Sequence, residues 1–172
     1  VTLLKTGIRA GELCNLDRRD VSLPDTPDES HVRVQLEERP HSLFVDDAPA
    51  RGQEYNGEIR NASNKRKRAT TIPVDDELGA VLRRWLAMRP DPQSPANPLF
   101  VSTRGEWGKR LTPDMVHHIV ETHAREAGWY RDGGGPAENV TPHYFRHFFT
   151  THLRDRTGDR GIVKYLRGDV AQ

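Results

Sequence analysis

Apolar residues recur every three to four positions in several stretches of the chain, which is the spacing of amphipathic helices. The clearest stretch lies at 76–88, with an apolar face of Leu78, Val81, Leu82, Trp85 and Leu86. Asp75 and Asp76 stand at its start, where a side-chain oxygen can cap free backbone N–H groups. Further helices are predicted over residues 1–6, 9–16, 113–127, 142–155 and 159–167. Thr112 with Pro113 marks the start of the helix at 113–127.

Strand patterns are fewer and shorter. Three strands are predicted, over residues 19–23, 31–36 and 66–74, the second from its alternation of apolar and polar positions. The polar segment 37–63 is interpreted as an irregular insertion with room for a short strand. The order of helix, small antiparallel sheet and then helices predicts an α+β fold class in which helices dominate.

The composition indicates one modest domain. The chain has 172 residues, 34% hydrophobic and 30% charged, with a net charge of +1. Its one cysteine, Cys14, excludes a disulfide framework or a cysteine-based zinc site within the chain. No apolar run reaches membrane-spanning length, and we expect a cytoplasmic protein. Because Val1 opens inside a helical pattern and Gln172 closely follows another, we expect an incomplete domain.

The distribution of charge is more informative than its sum. Residues 60–68, RNASNKRKR, hold five basic side chains and no acid, whereas residues 25–54 hold eight acids and three Lys or Arg. A basic patch on a nearly neutral protein is typical of a polyanion site on one face. A solvated loop explains the same composition.

A second basic site opens the predicted helix at 142–155. Thr141 and Pro142 mark its start, and His143 and Arg146 share one face because they are three residues apart. A helix N-terminus offers N–H groups and partial positive charge, so this arrangement suits a phosphate. The alternative is a surface arginine beside a capping histidine.

Three motifs, in this order, resemble the tyrosine recombinase (phage integrase) family. They are T-G-x-R-x-x-E-L at 6–13, a basic stretch leading into I-P-V at 72–74, and H-x-x-R-H-x-F-x-T-x-L at 143–153. Each is weak alone, but the ordered set is specific and covers nearly the whole chain. RNASNKRKR and KYLRGD are also similar to archaeal integrase-like members. The resemblance implies a mainly helical catalytic domain with a small antiparallel sheet, spanning 1–172 and lacking the N-terminal core-binding domain and the C-terminal tyrosine segment.

The resemblance implies catalytic roles for four side chains. Arg9 and Arg146 would clamp the non-bridging oxygens of the scissile phosphate in DNA. Lys65 would be the general acid for the leaving 5′ oxygen, with Lys67 as the alternative. His143 would assist proton transfer and orientation. Arginine suits such a clamp because its planar fork binds two oxygens and keeps its proton.

The same resemblance implies the partners. Arg66, Lys67, Arg68 and His147 are expected to bind double-stranded DNA, and the full-length enzyme is expected to act as a tetramer on paired sites. The chain alone is expected to be monomeric. No cofactor and no metal are expected, because the arginines would supply the positive charge.

The chain departs from the family pattern at Asp169. Family members usually carry a histidine or tryptophan at this position, which lies 23 residues after Arg146. An ionised carboxylate repels a phosphate. Asp169 is kept as a candidate site residue that either holds an arginine in place or is turned away.

The second departure concerns the nucleophilic tyrosine, which in the family follows the position of Asp169. Tyr55, Tyr130, Tyr144 and Tyr165 are poor candidates by position. The chain is therefore expected to be a piece of a site-specific recombinase that is inactive alone. The alternative is a non-catalytic DNA-binding remnant or regulator that keeps the phosphate clamp.

Other sites fit the sequence less well. The run His143–His147 is similar to an H-E-x-x-H zinc helix, but the glutamate is absent and Arg146 would oppose a metal. His117 and His118 have no convincing further ligands. Type IB topoisomerases use a similar set of residues, but T-G-x-R-x-x-E-L favours recombinases.

Overall fold

The computed structural model describes residues 1–26 and 32–169, and within them six α-helices and five β-strands are found. The helices are α1 (Thr2–Thr6), α2 (Ala10–Asn15), α3 (Asp76–Met88), α4 (Pro113–Glu126), α5 (Pro142–Thr157) and α6 (Arg160–Arg167). The strands are β1 (Val21–Ser22), β2 (Ser42–Val45), β3 (Glu54–Tyr55), β4 (Glu58–Ile59) and β5 (Thr70–Pro73). The expected α+β class, mainly helical with a small antiparallel sheet, is confirmed.

The sheet has the order β1-β2-β5, and both pairs are antiparallel. Leu43 in β2 lies opposite Val21 on one side and Ile72 on the other. Strands β3 and β4 form a separate hairpin, in which Tyr55 pairs with Glu58.

One predicted strand is wrong, and the central strand lies where the sequence only left room for one. In the predicted strand 31–36, residue 31 lies outside the described residues, and Val34–Leu36 form a 3₁₀ helix with Val34 exposed. The central strand β2 lies instead within 37–63, the predicted irregular insertion. All four residues of β2 are buried. A strand buried on both faces lacks the alternation of a half-buried strand, and the polar neighbours of β2 hide so short a run.

The longer helices begin where the sequence predicts caps. In α3, α4 and α5 the side chain of the residue before the helix accepts a hydrogen bond from the backbone N–H three positions on. These capping residues are Asp75, Thr112 and Thr141. Proline occupies the first position of α4 and α5, where no N–H is needed.

One apolar core joins the sheet to the helices. It contains buried residues from α1, α2, α3, α4 and all three strands of the larger sheet. Helix α1 packs on α5 and ends at Gly7, which has a φ of 63°. A Cβ at Gly7 would lie 2.3 Å from the ring of Phe149, so only glycine fits this contact. None of the helices in the described part of the chain has the length and apolarity needed to cross a membrane.

Candidate functional site

Three distant parts of the chain, around residues 9, 65 and 143–146, meet at one open cavity of about 420 Å³. Arg9, Lys65, His143 and Arg146 all line it. The geometry thus brings together the four side chains that the sequence analysis expects to converge. Their chemical roles stay predictions.

The N-terminal turns of three helices also line this cavity. Gly11 belongs to α2, Pro113 to α4 and Pro142 to α5. A helix N-terminus carries partial positive charge, and the first turn of α5 holds no acidic residue to offset it. The backbone therefore adds to the preference of the cavity for an anion.

Arg9 is the N-cap residue of α2 and is held by Glu12. The backbone N–H of Arg9 donates to Oε2 of Glu12 at 2.9 Å, and its Nη1 donates to Oε1 at 3.0 Å. The side chain of Glu12 has no exposed surface, whereas 32% of the side chain of Arg9 is exposed. The buried carboxylate thus orients a guanidinium that stays partly open to the cavity.

Arg146 is almost fully buried, with 4% of the residue exposed. Its Nη1 donates to the carbonyl oxygen of Gly7 at 2.7 Å, and its Nη2 donates to that of Arg167 at 3.1 Å. Burial, and next the charge of Arg9, lower the pKa of Arg146 to about 10. Arg146 therefore keeps its proton at neutral pH, and its carbonyl partners fix its plane.

Burial alternates along residues 64–67. Asn64 and Arg66 are buried, whereas Lys65 and Lys67 are exposed. Lys65 lines the cavity and Lys67 does not. This placement favours Lys65 over the alternative, Lys67.

Arg66 does not lie on the DNA-facing surface that the sequence analysis expects. Its side chain has no exposed area. Its Nη1 donates to the carbonyl oxygen of Leu166 at 3.1 Å, and its Nη2 lies 3.4 Å from Oε2 of Glu12. The expected DNA contact is corrected accordingly, because the guanidinium is enclosed between α2 and the end of α6.

Two other expected DNA contacts lie outside the cavity lining. Arg68 is half-buried over the ring of Tyr165, with 4.8 Å between the guanidinium carbon and the ring centroid. His147 is exposed one turn after His143 on α5, with 5.1 Å between the ring centroids. DNA contacts by Arg68, Lys67 and His147 stay predictions.

Asp169 lies among arginines and is not part of the cavity lining. Its Oδ1 is 3.8 Å from Nη2 of Arg146, and its Oδ2 is 3.1 Å from Nε of Arg167. Of the two possibilities left open by the sequence, holding an arginine in place agrees with this geometry.

The sequence analysis did not predict two basic residues of the cavity, and it considered His117 only as a metal ligand. Arg51 comes from the segment between β2 and β3, and His117 comes from α4. Both are exposed. The start of α4 offered a signal for His117, because α4 and α5 both open with Thr-Pro and each carries a histidine soon afterwards. Arg51 stands in a polar stretch that has no periodic pattern.

A second arginine cluster, which the sequence analysis also missed, is buried at Asp17, Arg60 and Arg110, whereas Glu58 at its edge is partly exposed. Asp17 accepts hydrogen bonds from Nη2 of Arg60 at 2.7 Å and from Nη2 of Arg110 at 2.6 Å. Arg110 also donates to Oε2 of Glu58 at 2.6 Å. Burial opposes the charge of Arg110, but its bonds to Glu58 and Asp17 raise its pKa. Arg60, counted in the basic run, therefore has a structural place.

Among the described residues, no tyrosine lines the cavity. Tyr55 hydrogen-bonds to Asp46 at 2.6 Å, and burial raises its pKa to about 12. Tyr165 lies against Arg68. These contacts agree with the low expectation for either tyrosine as a nucleophile.

Comparisons with known proteins agree with the motifs. A family model described as the phage integrase family matches residues 2–168. The chain is 30% identical over 171 residues to tyrosine recombinase XerC 1 of Ralstonia nicotianae, covering 96% of this chain and 43% of that protein. It is 28% identical over 169 residues to tyrosine recombinase XerA of Pyrococcus furiosus, covering 98% of this chain and 44% of that protein. The chain thus spans less than half the length of these bacterial and archaeal relatives.

Solved structures show the same fold. A crystal structure of XerA recombinase has a TM-score of 0.65 at 23% identity, covering 99% of this chain and 46% of that one. The Tn1549 transposon integrase in complex with circular intermediate DNA has a TM-score of 0.68 at 20% identity, covering 99% and 50%. These likenesses establish the architecture of a tyrosine recombinase catalytic domain.

Proposed function

The chain belongs to the phage integrase family, and we propose that it carries the phosphate-binding part of a site-specific DNA recombinase that exchanges strands by phosphodiester transesterification. The observation that carries this proposal is the meeting of Arg9, Lys65, His143 and Arg146 at one cavity. Double-stranded DNA is the proposed partner, and the full-length protein would act as a tetramer on paired sites.

The proposed chemistry needs positive charge around one phosphate. A tyrosine hydroxyl attacks phosphorus, a tyrosyl–phosphate bond forms and the bond to the 5′ oxygen breaks. Negative charge grows on the non-bridging oxygens, where Arg9 and Arg146 stabilise it. Each well-placed donor contributes on the order of 10²–10³ in rate.

The leaving oxygen needs a proton, and Lys65 is its proposed donor. Lys65 is exposed and lines the cavity. A lysine ammonium can give a proton to an oxygen within hydrogen-bonding reach, which is the task of a general acid. His143, at the start of α5, is proposed to orient the phosphate and to assist transfer of the tyrosine proton. The energy of the broken phosphodiester is kept in the tyrosyl ester, so strands can be rejoined without a cofactor.

We further propose that the nucleophile is not one of the four tyrosines of this chain. None of them lines the cavity in the described part of the chain. A nucleophile supplied from outside the 172 residues fits the family and the partial coverage of the relatives.

DNA binding at graded salt concentrations tests the proposal. The chain is expected to bind a duplex at low salt with little sequence preference, and to lose affinity linearly in log–log plots as salt rises. Lys65→Ala should weaken binding and reduce the salt slope by about one. Arg104→Ala is the matched control, because Arg104 is exposed and does not line the cavity. Absence of binding at low salt would overturn the proposal.

A nicked suicide substrate tests the chemistry. The chain alone should leave no covalent protein–DNA product. Covalent trapping of the chain alone would show that one of its four tyrosines is the nucleophile and would overturn this part of the proposal.

A further inference from the structure

The end of α6 contacts Arg146, which lines the candidate site, and the buried Arg66. The last carbonyl groups of a helix lack partners within the helix. Here the carbonyl oxygen of Leu166 accepts from Arg66, and that of Arg167 accepts from Arg146, both at 3.1 Å. The carbonyl oxygen of Gly168 accepts from the backbone N–H of Lys67 at 3.1 Å.

This arrangement holds the guanidinium of Arg146 in one position. One of its nitrogens donates to Gly7 at the end of α1, and the other donates to Arg167 at the end of α6. A guanidinium carries five N–H donors, so these two bonds leave others for a phosphate. The direction in which the other N–H groups of Arg146 point therefore depends on the position of the end of α6.

Gly168 makes that end close-fitting. It has a φ of 71°, and a Cβ there would lie 2.3 Å from Cγ of Arg66. The turn after it is closed by Asp169, whose backbone N–H donates to the carbonyl oxygen of Lys164 at 3.0 Å. The chain therefore turns at Gly168 in one way, and this turn sets the position of the Asp169 carboxylate.

The carboxylate of Asp169 lies close to the side chains of both Arg146 and Arg167. It lies 3.1 Å from Nε of Arg167, the residue whose carbonyl oxygen holds Arg146. It lies 3.8 Å from Nη2 of Arg146 itself. About a third of the side chain, 36%, is exposed, so the pair with Arg146 is partly open to solvent.

We propose that Asp169 is a positioning residue whose carboxylate aims Arg146 at the DNA phosphate by pairing with Arg146 and with Arg167 at the end of α6. This inference rests on the proposed function. Asp169 does not touch the phosphate, and its contribution passes through its contacts with the side chains of Arg146 and Arg167.

The proposed role predicts a change in DNA affinity that is opposite to the change predicted from charge alone. Removing a carboxylate near a phosphate site makes the local potential more positive, and simple electrostatics then predicts tighter DNA binding. Loss of a positioning residue predicts weaker binding although positive charge has been gained. The two explanations therefore differ in direction.

The experiment measures duplex affinity of the 172-residue chain by fluorescence anisotropy at low salt. Asp169→Asn is expected to weaken binding about threefold to tenfold, and Asp169→Glu, which keeps the charge, should bind nearly as the unchanged chain does. The matched control is Asp155→Asn, since Asp155 is an exposed acid on α5 that pairs only with Arg154 among the described residues. The control should bind equally well or slightly more tightly.

A double-variant comparison identifies the residue through which Asp169 acts. The effect of Asp169→Asn should vanish in an Arg146→Lys background and persist in an Arg9→Ala background. Thermal unfolding of each variant shows whether it is folded. If Arg146→Lys does not fold, the Arg9→Ala background and the Asp169→Glu variant still decide the question.

The outcomes separate this inference from the proposed function. If the unchanged chain does not bind DNA at low salt, the proposed function fails. If it binds, and Asp169→Asn binds as tightly as Asp155→Asn or more tightly, the positioning role is overturned while the proposed function stands.

Discussion

Two clusters of arginine and carboxylate side chains are centred on Asp17 and Glu12, which lie close together in the sequence. The two clusters differ in net charge. Arg60 pairs with Asp17, and Arg110 pairs with both Asp17 and Glu58. The side chains of Asp17 and Arg60 have no exposed surface. Around Glu12, one buried carboxylate meets Arg9 and Arg66. The first cluster is mostly buried and balanced.

The Glu12 cluster carries a net positive charge, because one carboxylate pairs with two arginines. Arg9 stays partly exposed, and its charge is close enough to lower the pKa of Arg146. Balanced charge within a core serves the fold. Unbalanced charge that opens onto a cavity is available to a ligand. The difference teaches that the number of arginines matters less than whether the chain itself neutralises them.

The largest expected effect is loss of the Asp17 cluster. Asp17→Ala leaves two buried guanidinium groups without their shared partner, so the free energy of unfolding should fall by about 3–5 kcal/mol. Chemical denaturation measures this loss. Asp47→Ala, at an exposed acid, should change stability little. An equally small effect of Asp17→Ala would break the comparison.

Glu12→Gln should cost less stability and more function. The amide keeps one accepting oxygen for the buried Arg66, and Arg9 can turn to solvent, so we expect a loss of about 1–3 kcal/mol. Because Arg9 is then no longer oriented, DNA affinity of the folded protein should also fall. Denaturation and anisotropy on the same preparation test both effects, and unchanged affinity would show that Glu12 serves only the fold.

Arg9→Ala should separate function from stability most clearly. Its side chain is partly exposed, but its removal takes one partner from the buried carboxylate of Glu12, so the free energy of unfolding should fall by about 1–2 kcal/mol. The salt slope of DNA binding should nevertheless fall by about one. A slope equal to that of the unchanged chain would exclude Arg9 from phosphate contact.

The smallest effect is expected at a helix cap outside both clusters. Asp75 caps α3 and accepts a hydrogen bond from Lys5, which lowers the pKa of Asp75. Asp75→Ala should cost about 1 kcal/mol. Since the folded-state pKa is lowered, this contribution is present at neutral pH and is lost as the pH falls below about 4. DNA binding should not change.

The sequence predicted the local structure where the signal was local. Asp75, Thr112 and Thr141 were identified as helix starts because caps depend on neighbours within one turn. The motif spacing likewise led to Arg9, Lys65, His143 and Arg146. The segment 37–63 left room for a short strand, but the position of the buried strand β2 could not be predicted because four residues among polar neighbours show no period.

The places of Arg60 and Arg66 could not be read from the chain. Both belong to one basic run, yet Arg60 pairs with Asp17, 43 residues away, and Arg66 pairs with Glu12, 54 residues away. Burial of a charge depends on such distant partners, whereas composition only counts charges. Arg51 and His117 reach the cavity for the same tertiary reason.

A crystal structure of this chain with a short DNA duplex tests the central claim most directly. We predict one backbone phosphate within hydrogen-bonding distance of both Arg9 and Arg146, with Lys65 and His143 beside it. A bound duplex whose phosphates contact other surfaces and leave this cavity unfilled would contradict the account.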